Sequence, residues 1–136
     1  MIYCVFVGRF KDERLAQLAA EYKKRSDRLW PVTVVDLNEK TKDILKFVES
    51  KKDRAVLVSL DAHGERLDSA QFTRQVTQSS QDIYFFGWGA VGPPAELSPY
   101  FSKSVSLSPM TFSHEMARVL LMEQLYRAGA TLKGHP

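Results

Sequence analysis

Residues 55–60 read Ala55-Val56-Leu57-Val58-Ser59-Leu60. A strand with one solvated face alternates apolar and polar side chains. A nearly unbroken apolar run suits a strand covered on both faces, as in a parallel sheet. Asp61-Ala62-His63-Gly64 follows and reads as a turn. Similar apolar runs occupy Met1–Gly8 and Ile83–Phe86, the second ending at Gly87. Val32–Leu37 is rich in β-branched residues and reads as a further strand, and Ser104–Leu107 as a short last one. Amphipathic stretches lie between them. Asp12–Arg28 places Leu15, Leu18, Ala19 and Tyr22 at helical spacing and breaks at Trp30-Pro31. Thr41–Lys51 and Ser69–Gln78 read as two more helices. Thr111–Ala128 is the strongest, with Ala117, Leu120, Leu121, Leu125 and Ala128 as its apolar stripe and Thr111 or Ser113 at its cap. Strands alternating with helices predict an α/β fold with a mainly parallel sheet.

The 136 residues correspond to one domain, 1–136, of ordinary globular composition: 44% hydrophobic and 26% charged. No apolar run reaches the roughly 20 residues of a membrane helix. The apolar start lacks the basic flank of a signal peptide, so the expected compartment is the cytoplasm. Cys4 is the one cysteine, which excludes an internal disulfide and a cysteine-based zinc site; its neighbours Tyr3 and Val5 suggest a packed thiol. A net charge of +3 permits a nucleic-acid partner without requiring one.

Ligands of parallel sheets bind at the carboxyl ends of the strands. The loops after Leu60, Phe86 and Leu107 are therefore the candidates. Gly87-Trp88-Gly89-Ala90-Val91-Gly92 matches the G-x-G-x-x-G pattern of dinucleotide sites literally. In a true fingerprint the last glycine opens a helix that holds the pyrophosphate. Here Pro93-Pro94 follows, so the loop reads as a tight turn or as a close approach for another ligand. His63 falls in a turn, His114 in the first turn of the last helix, and His135 at the end, without metal-ligand spacing. The helix dipole favours a neutral ring at His114, which suits a hydrogen bond to a ligand or a local cap. Basic residues gather at Arg9, Lys11 and Arg14 and again at Lys23, Lys24, Arg25 and Arg28. Four acidic residues among them, Asp12, Glu13, Glu21 and Asp27, make this equally a solvated helix face.

The segment from Ser106 to Ala128, SLSPMTFSHEMARVLLMEQLYRA, resembles the C-terminal part of the SPOUT-class ribosomal RNA large subunit methyltransferase H family. Leu107, Ser108, Met110, Thr111 and His114 match that family's L-S-x-M-T-x-x-H. Arg118, Glu123, Gln124, Tyr126, Arg127 and Ala128 match its R-x-x-x-x-E-Q-x-Y-R-A. Ser59–Gly64 is similar to its A-L-D-x-x-G, and Val5–Lys11 to its opening A-V-G-K-x-K. The resemblance spans essentially the whole chain. It departs at Trp88, where the family's I-G-G-x-x-G has a glycine, and after Gly134-His135-Pro136, where the family continues into Tyr-His.

The resemblance implies an α/β sheet with a C-terminal trefoil knot, a homodimer, and transfer of a methyl group from S-adenosylmethionine. The acceptor would be N3 of a pseudouridine in large-subunit (23S) ribosomal RNA. The partners would be ribosomal RNA or the assembled ribosome, with no membrane and no metal. Leu60 would line the adenine side, Trp88 and Gly89 would offer backbone contacts, and Leu107, Ser108, Pro109, Met110, Thr111 and Phe112 would wrap the adenosine. Arg118 and Arg127 would hold phosphate or polarise the base, with His114 beside them. The Lys23–Arg28 face would follow RNA backbone. An alternative is a non-catalytic homodimer of the same fold that binds RNA or the ribosome. Trp88 makes the expectation sharp, because an indole at a glycine position would crowd the pocket or strain the backbone.

Overall fold

A computed structural model describes residues 1–135. Five strands form one parallel sheet: β1 (Ile2–Val7), β2 (Val32–Leu37), β3 (Ala55–Arg66), β4 (Asp82–Gly87) and β5 (Lys103–Ser106), in the order β2-β1-β4-β3-β5. The helices are α1 (Glu13–Asp27), α2 (Thr41–Lys51), α3 (Ser69–Thr77) and α4 (His114–Leu132), with a 3-10 helix at Ala95–Tyr100.

The handedness of parallel crossovers sorts the helices onto two faces. Connections that step along the sheet in opposite directions must cross on opposite faces to stay right-handed. β1 to β2 and β3 to β4 step one way, through α1 and α3. β2 to β3 and β4 to β5 step the other way, through α2 and the 3-10 helix. The core divides accordingly. Ile2, Cys4, Phe6, Ile83 and Phe85 point to the α1/α3 face with Ala19, Phe72 and Val76. Val5, Val7, Tyr84, Phe86 and Trp88 point to the other, with Ile44, Val48 and Leu97. The two-residue period of strands produces both sets from one run of residues.

α4 lies on the α1/α3 face, packed against both helices. Being enclosed on several sides, it buries more than the expected stripe. Leu121, Leu125 and Ala128 are buried as expected, but so are Val119, Met122, Gly129 and the charged Glu115 and Arg118. Ala117 and Leu120 stay half-exposed. Ser113, rather than Thr111, is the cap, and its side chain accepts from the Met116 N–H. Cys4 is fully buried, and burial pushes its thiol pKa well above the ordinary range.

Two elements differ from the sequence reading. The Asp61–Gly64 turn is an excursion within β3: Leu60 and Glu65 both pair with Val105, and the strand continues to Arg66. The 3-10 helix fills part of the connection from β4 to β5 and packs Leu97 into the core.

Trp30, expected as a helix breaker, also fastens α4. Its indole N–H donates to the Leu125 carbonyl at 3.0 Å, and a Cβ on Gly129 would stand 2.5 Å from its ring. Gly129→Ala therefore displaces the indole. Alanine's better helix propensity returns only about 1 kcal/mol, against about 1–3 kcal/mol for overpacking. Urea denaturation is expected to show a net loss of stability; a more stable variant would mean that the indole shifts freely.

Candidate functional site

The carboxyl edge of the sheet carries a cleft of about 450 Å³, lined from the excursion within β3, the loops after β4 and β5 and the start of α4. Each loop is shaped by local chemistry. The β3 excursion is folded by Asp61, whose carboxylate accepts the His63 N–H at 2.9 Å. It returns over β5 at Gly64, where a Cβ would stand 2.6 Å from the Ser104 carbonyl group, so only glycine fits. After β4 the chain turns at Gly89–Gly92, closed by a Gly92 N–H to Gly89 carbonyl bond of 3.0 Å. Gly92 takes a φ of +72°, which glycine adopts without strain. After β5, the Ser106 hydroxyl donates to the Ser108 carbonyl at 2.7 Å, and the Ser108 hydroxyl accepts the Met110 N–H at 3.0 Å. These serine contacts hold the loop from 106 to 110 in one shape.

Trp88 does not fill the cleft. It continues the alternation of Tyr84 and Phe86, so its ring turns to the α2 face of the sheet. There it stacks on Phe86 at 5.5 Å, meets the edge of Phe101 at 5.6 Å, and donates its indole N–H to the Ser59 hydroxyl at 2.8 Å. No non-glycine among the described residues has positive φ, so the backbone at 88 is unstrained. The expected crowding does not occur: Trp88 belongs to the cleft wall and is only 6% exposed.

Behind the cleft, two charged residues one turn apart on α4 organise the β1–α1 loop. One Glu115 carboxylate oxygen accepts the N–H groups of Lys11 and Asp12, at 3.0 and 3.1 Å. Those bonds, first that from Asp12, hold the Glu115 pKa below the usual carboxylate value against the opposing effect of burial. Arg118 donates to the carbonyls of Gly8 at 2.9 Å, Val7 at 2.6 Å and Trp88 at 3.4 Å. Its guanidinium packs beside the edge-to-face pair of Phe6 and Phe10, with ring centroids at 5.3 and 5.2 Å. Burial lowers the Arg118 pKa, and Glu115, Asp36 and Glu39 oppose that shift.

The structure brings together Leu60, Trp88, Gly89, Leu107, Ser108, Met110, Phe112 and His114 around the cleft. Pro109 and Thr111 belong to the same loop and are exposed without lining the cleft. Arg118 is 1% exposed and engaged with backbone carbonyls, which leaves no surface for a phosphate. Arg127 is 13 residues beyond His114 on α4 (127 − 114), a rise of about 20 Å. It pairs with Glu123 at 2.9 Å. The basic residues separate likewise. Arg9 and Lys11 are exposed at the carboxyl edge, on the loop that Glu115 and Arg118 hold. Lys23–Arg28 closes α1 at the opposite edge, about 20 Å away along a 15-residue helix. Lys23 is paired there with Asp27, and Arg25 with Glu21. Asp61, Ala62, Pro93 and Ala117 also line the cleft, although the sequence reading did not assign them to the site. The excursion bearing Asp61 and Ala62 was visible in the sequence as a turn.

The chain matches, over residues 1–136, the family model described as "Predicted SPOUT methyltransferase". It is 31% identical to the ribosomal RNA large subunit methyltransferase H of Gemmatimonas aurantiaca, over 96% of this chain and 94% of that relative. Among solved structures it resembles a probable methylase family protein from Haemophilus influenzae, with a TM-score of 0.66 at 12% identity, covering 98% of this chain and 68% of the other. The SpoU methyltransferase AviRb from Streptomyces viridochromogenes, in complex with AdoMet, has a TM-score of 0.54 at 14% identity, covering 92% of this chain and 56% of the other. At such identities the structural likeness speaks for the fold.

The Glu115 anchor carries a pH signature. Its folded pKa is lowered, so its stabilisation is present above the ordinary value of 4.5 and is lost as pH falls through the lowered value. Denaturation of wild type and Glu115→Gln should differ at pH 7 and converge on acidification. A gap that stays constant down to pH 2 would contradict the anchor.

Proposed function

The chain belongs to the SPOUT methyltransferase family, and from that premise we propose that it methylates large-subunit ribosomal RNA at N3 of a pseudouridine, with S-adenosylmethionine as donor. The observation that carries the reading is the convergence of the β3 excursion and the loops after β4 and β5 on one cleft. Similarity to the ribosomal RNA large subunit methyltransferase H of Gemmatimonas aurantiaca over 96% of this chain supports the substrate class. The AdoMet complex of AviRb supports the donor.

The residues present fit such a donor. An adenosine needs an apolar slot with backbone polar groups at its rim. Leu60, Leu107 and Phe112 supply apolar walls, and Gly89 and Ser108 bring backbone to the wall. When bound, S-adenosylmethionine supplies an activated methyl group, and the protein's task is alignment and exclusion of water. The serine-braced loop at 106–110 is already shaped for that role. A proton must leave N3 of the acceptor base. His114 borders the cleft, with Nε2 3.8 Å from the Glu115 carboxylate, and is the acceptor this reading assigns. Arg9 and Lys11, exposed at the same edge, are placed to meet RNA phosphates. The proposal also takes over from the resemblance a knotted C-terminal end and a homodimer, and keeps from the sequence reading a single domain over 1–136 and action in the cytoplasm.

Tritiated methyl transfer from S-adenosylmethionine to ribosomes lacking the modification tests the reading. Label is expected at a pseudouridine of the large-subunit RNA. Ribosome binding without transfer would favour the non-catalytic alternative. Leu107→Asp should abolish transfer and donor binding, because it places a charge against the apolar wall. Undiminished donor affinity in calorimetry would remove Leu107 from the pocket.

A further inference from the structure

Arg118 occupies a place that backbone hydrogen bonding leaves open. The β1–β4 pairing runs from Ile2 opposite Ile83 to Phe6 opposite Gly87 and stops there. Beyond it, Val7 (paired with Leu37 on its other side), Gly8 and Trp88 lie outside the β1–β4 pairing, and their carbonyls are met by one guanidinium from α4. Two flanking positions are shaped for it. A Cβ on Gly87 would stand 3.2 Å from the Arg118 Cγ and 3.1 Å from the Phe6 ring, and Gly8 takes a φ of +86°. One side chain thus grips the start of the glycine loop that walls the cleft and the start of the loop carrying Arg9 and Lys11. One turn earlier, Glu115 fixes the far end of that second loop through the N–H groups of Lys11 and Asp12.

The peptide plane between residues 88 and 89 makes this grip consequential. In a trans peptide the carbonyl of one residue and the N–H of the next point in opposite directions. Holding the Trp88 carbonyl toward Arg118 therefore directs the Gly89 N–H away from Arg118. Gly89 is a cleft-lining residue.

We propose that Arg118 is a positioning residue that ties the glycine loop (residues 88–92) to the basic β1–α1 loop (residues 8–12), so that occupancy of the cleft and the setting of Arg9 and Lys11 are linked through its guanidinium. The linkage to donor and RNA rests on the methyltransferase reading. The tie itself does not. A lysine cannot reproduce it, because one ammonium lacks the planar fork that spans several carbonyls. Glu115 acts on the basic loop alone.

Amide hydrogen exchange separates these roles without any ligand. Gly8 N–H is bonded to the Leu37 carbonyl and Gly92 N–H to the Gly89 carbonyl, so each reports on one loop. Arg118→Lys is expected to speed exchange about tenfold at both, with the β-strand amides of Val5 and Phe85 unchanged, the size expected for losing a charged hydrogen bond. Glu115→Gln should speed Lys11 and Asp12 and leave Gly92 alone. Acceleration at Gly8 without Gly92, or equal acceleration of the strand amides, would overturn the tie. With S-adenosylhomocysteine as probe, wild type should show slower exchange at Gly92 and at Gly8. Arg118→Lys should show it at Gly92 alone and bind about tenfold more weakly. Slowing confined to Gly92 in wild type would overturn the linkage. Failure of wild type to bind S-adenosylhomocysteine would count against the functional reading and would leave the ligand-free exchange result to decide the tie.

Discussion

Taking a guanidinium out of water costs several kcal/mol unless its N–H groups find acceptors. Arg118 is 1% exposed, and what surrounds it follows from that constraint. Three carbonyls accept from its terminal nitrogens, the rings of Phe6 and Phe10 pack beside it, and Glu115, Asp36 and Glu39 supply opposing charge. Its Nε alone lacks a partner among the described residues. The carbonyls belong to the ends of β1 and β4, so meeting the needs of the guanidinium also fixes where two loops leave the sheet. The cleft inherits its back wall from this arrangement. α4 can bury two charged residues in its first turns because each finds backbone partners rather than bulk water.

The two edges of the sheet have different work. The amino edge is stapled by Trp30 against α4 and carries the paired charges of Lys23–Asp27 and Arg25–Glu21. The carboxyl edge gathers the cleft, His114, and the exposed Arg9 and Lys11. A basic cluster in sequence is thereby split by about 20 Å of helix.

Much of this was legible in the residues. The apolar runs at Met1–Gly8 and Ala55–Leu60 encode strands covered on both faces, and the helix positions of Leu15, Ala19 and Tyr22 encode α1. The loops after β3, β4 and β5 follow from parallel topology alone. The family's glycine at position 88 speaks only of backbone room and carries no information on where the Trp88 ring goes. Its side-chain direction was available from the two-residue period through Tyr84 and Phe86. The role of Arg118 was not available. Its acceptors lie 110 and 111 residues away along the chain and are main-chain atoms, which carry no residue-type signal. The 3-10 helix is too short for its period to stand out, and the continuation of β3 past Gly64 depends on contact with β5.

The cleft walled by Leu60, Gly89 and Leu107 is the proposed methyl-donor site. Titration of nitrogen-15-labelled protein with S-adenosylhomocysteine, followed by amide chemical shifts, tests it most directly. Saturable shifts are expected, concentrated at those three residues and at the loop from 106 to 112. Shifts centred instead on the groove between α3 and β5, lined by Phe72, Gln75 and Lys103, or no shifts at millimolar ligand, would contradict it.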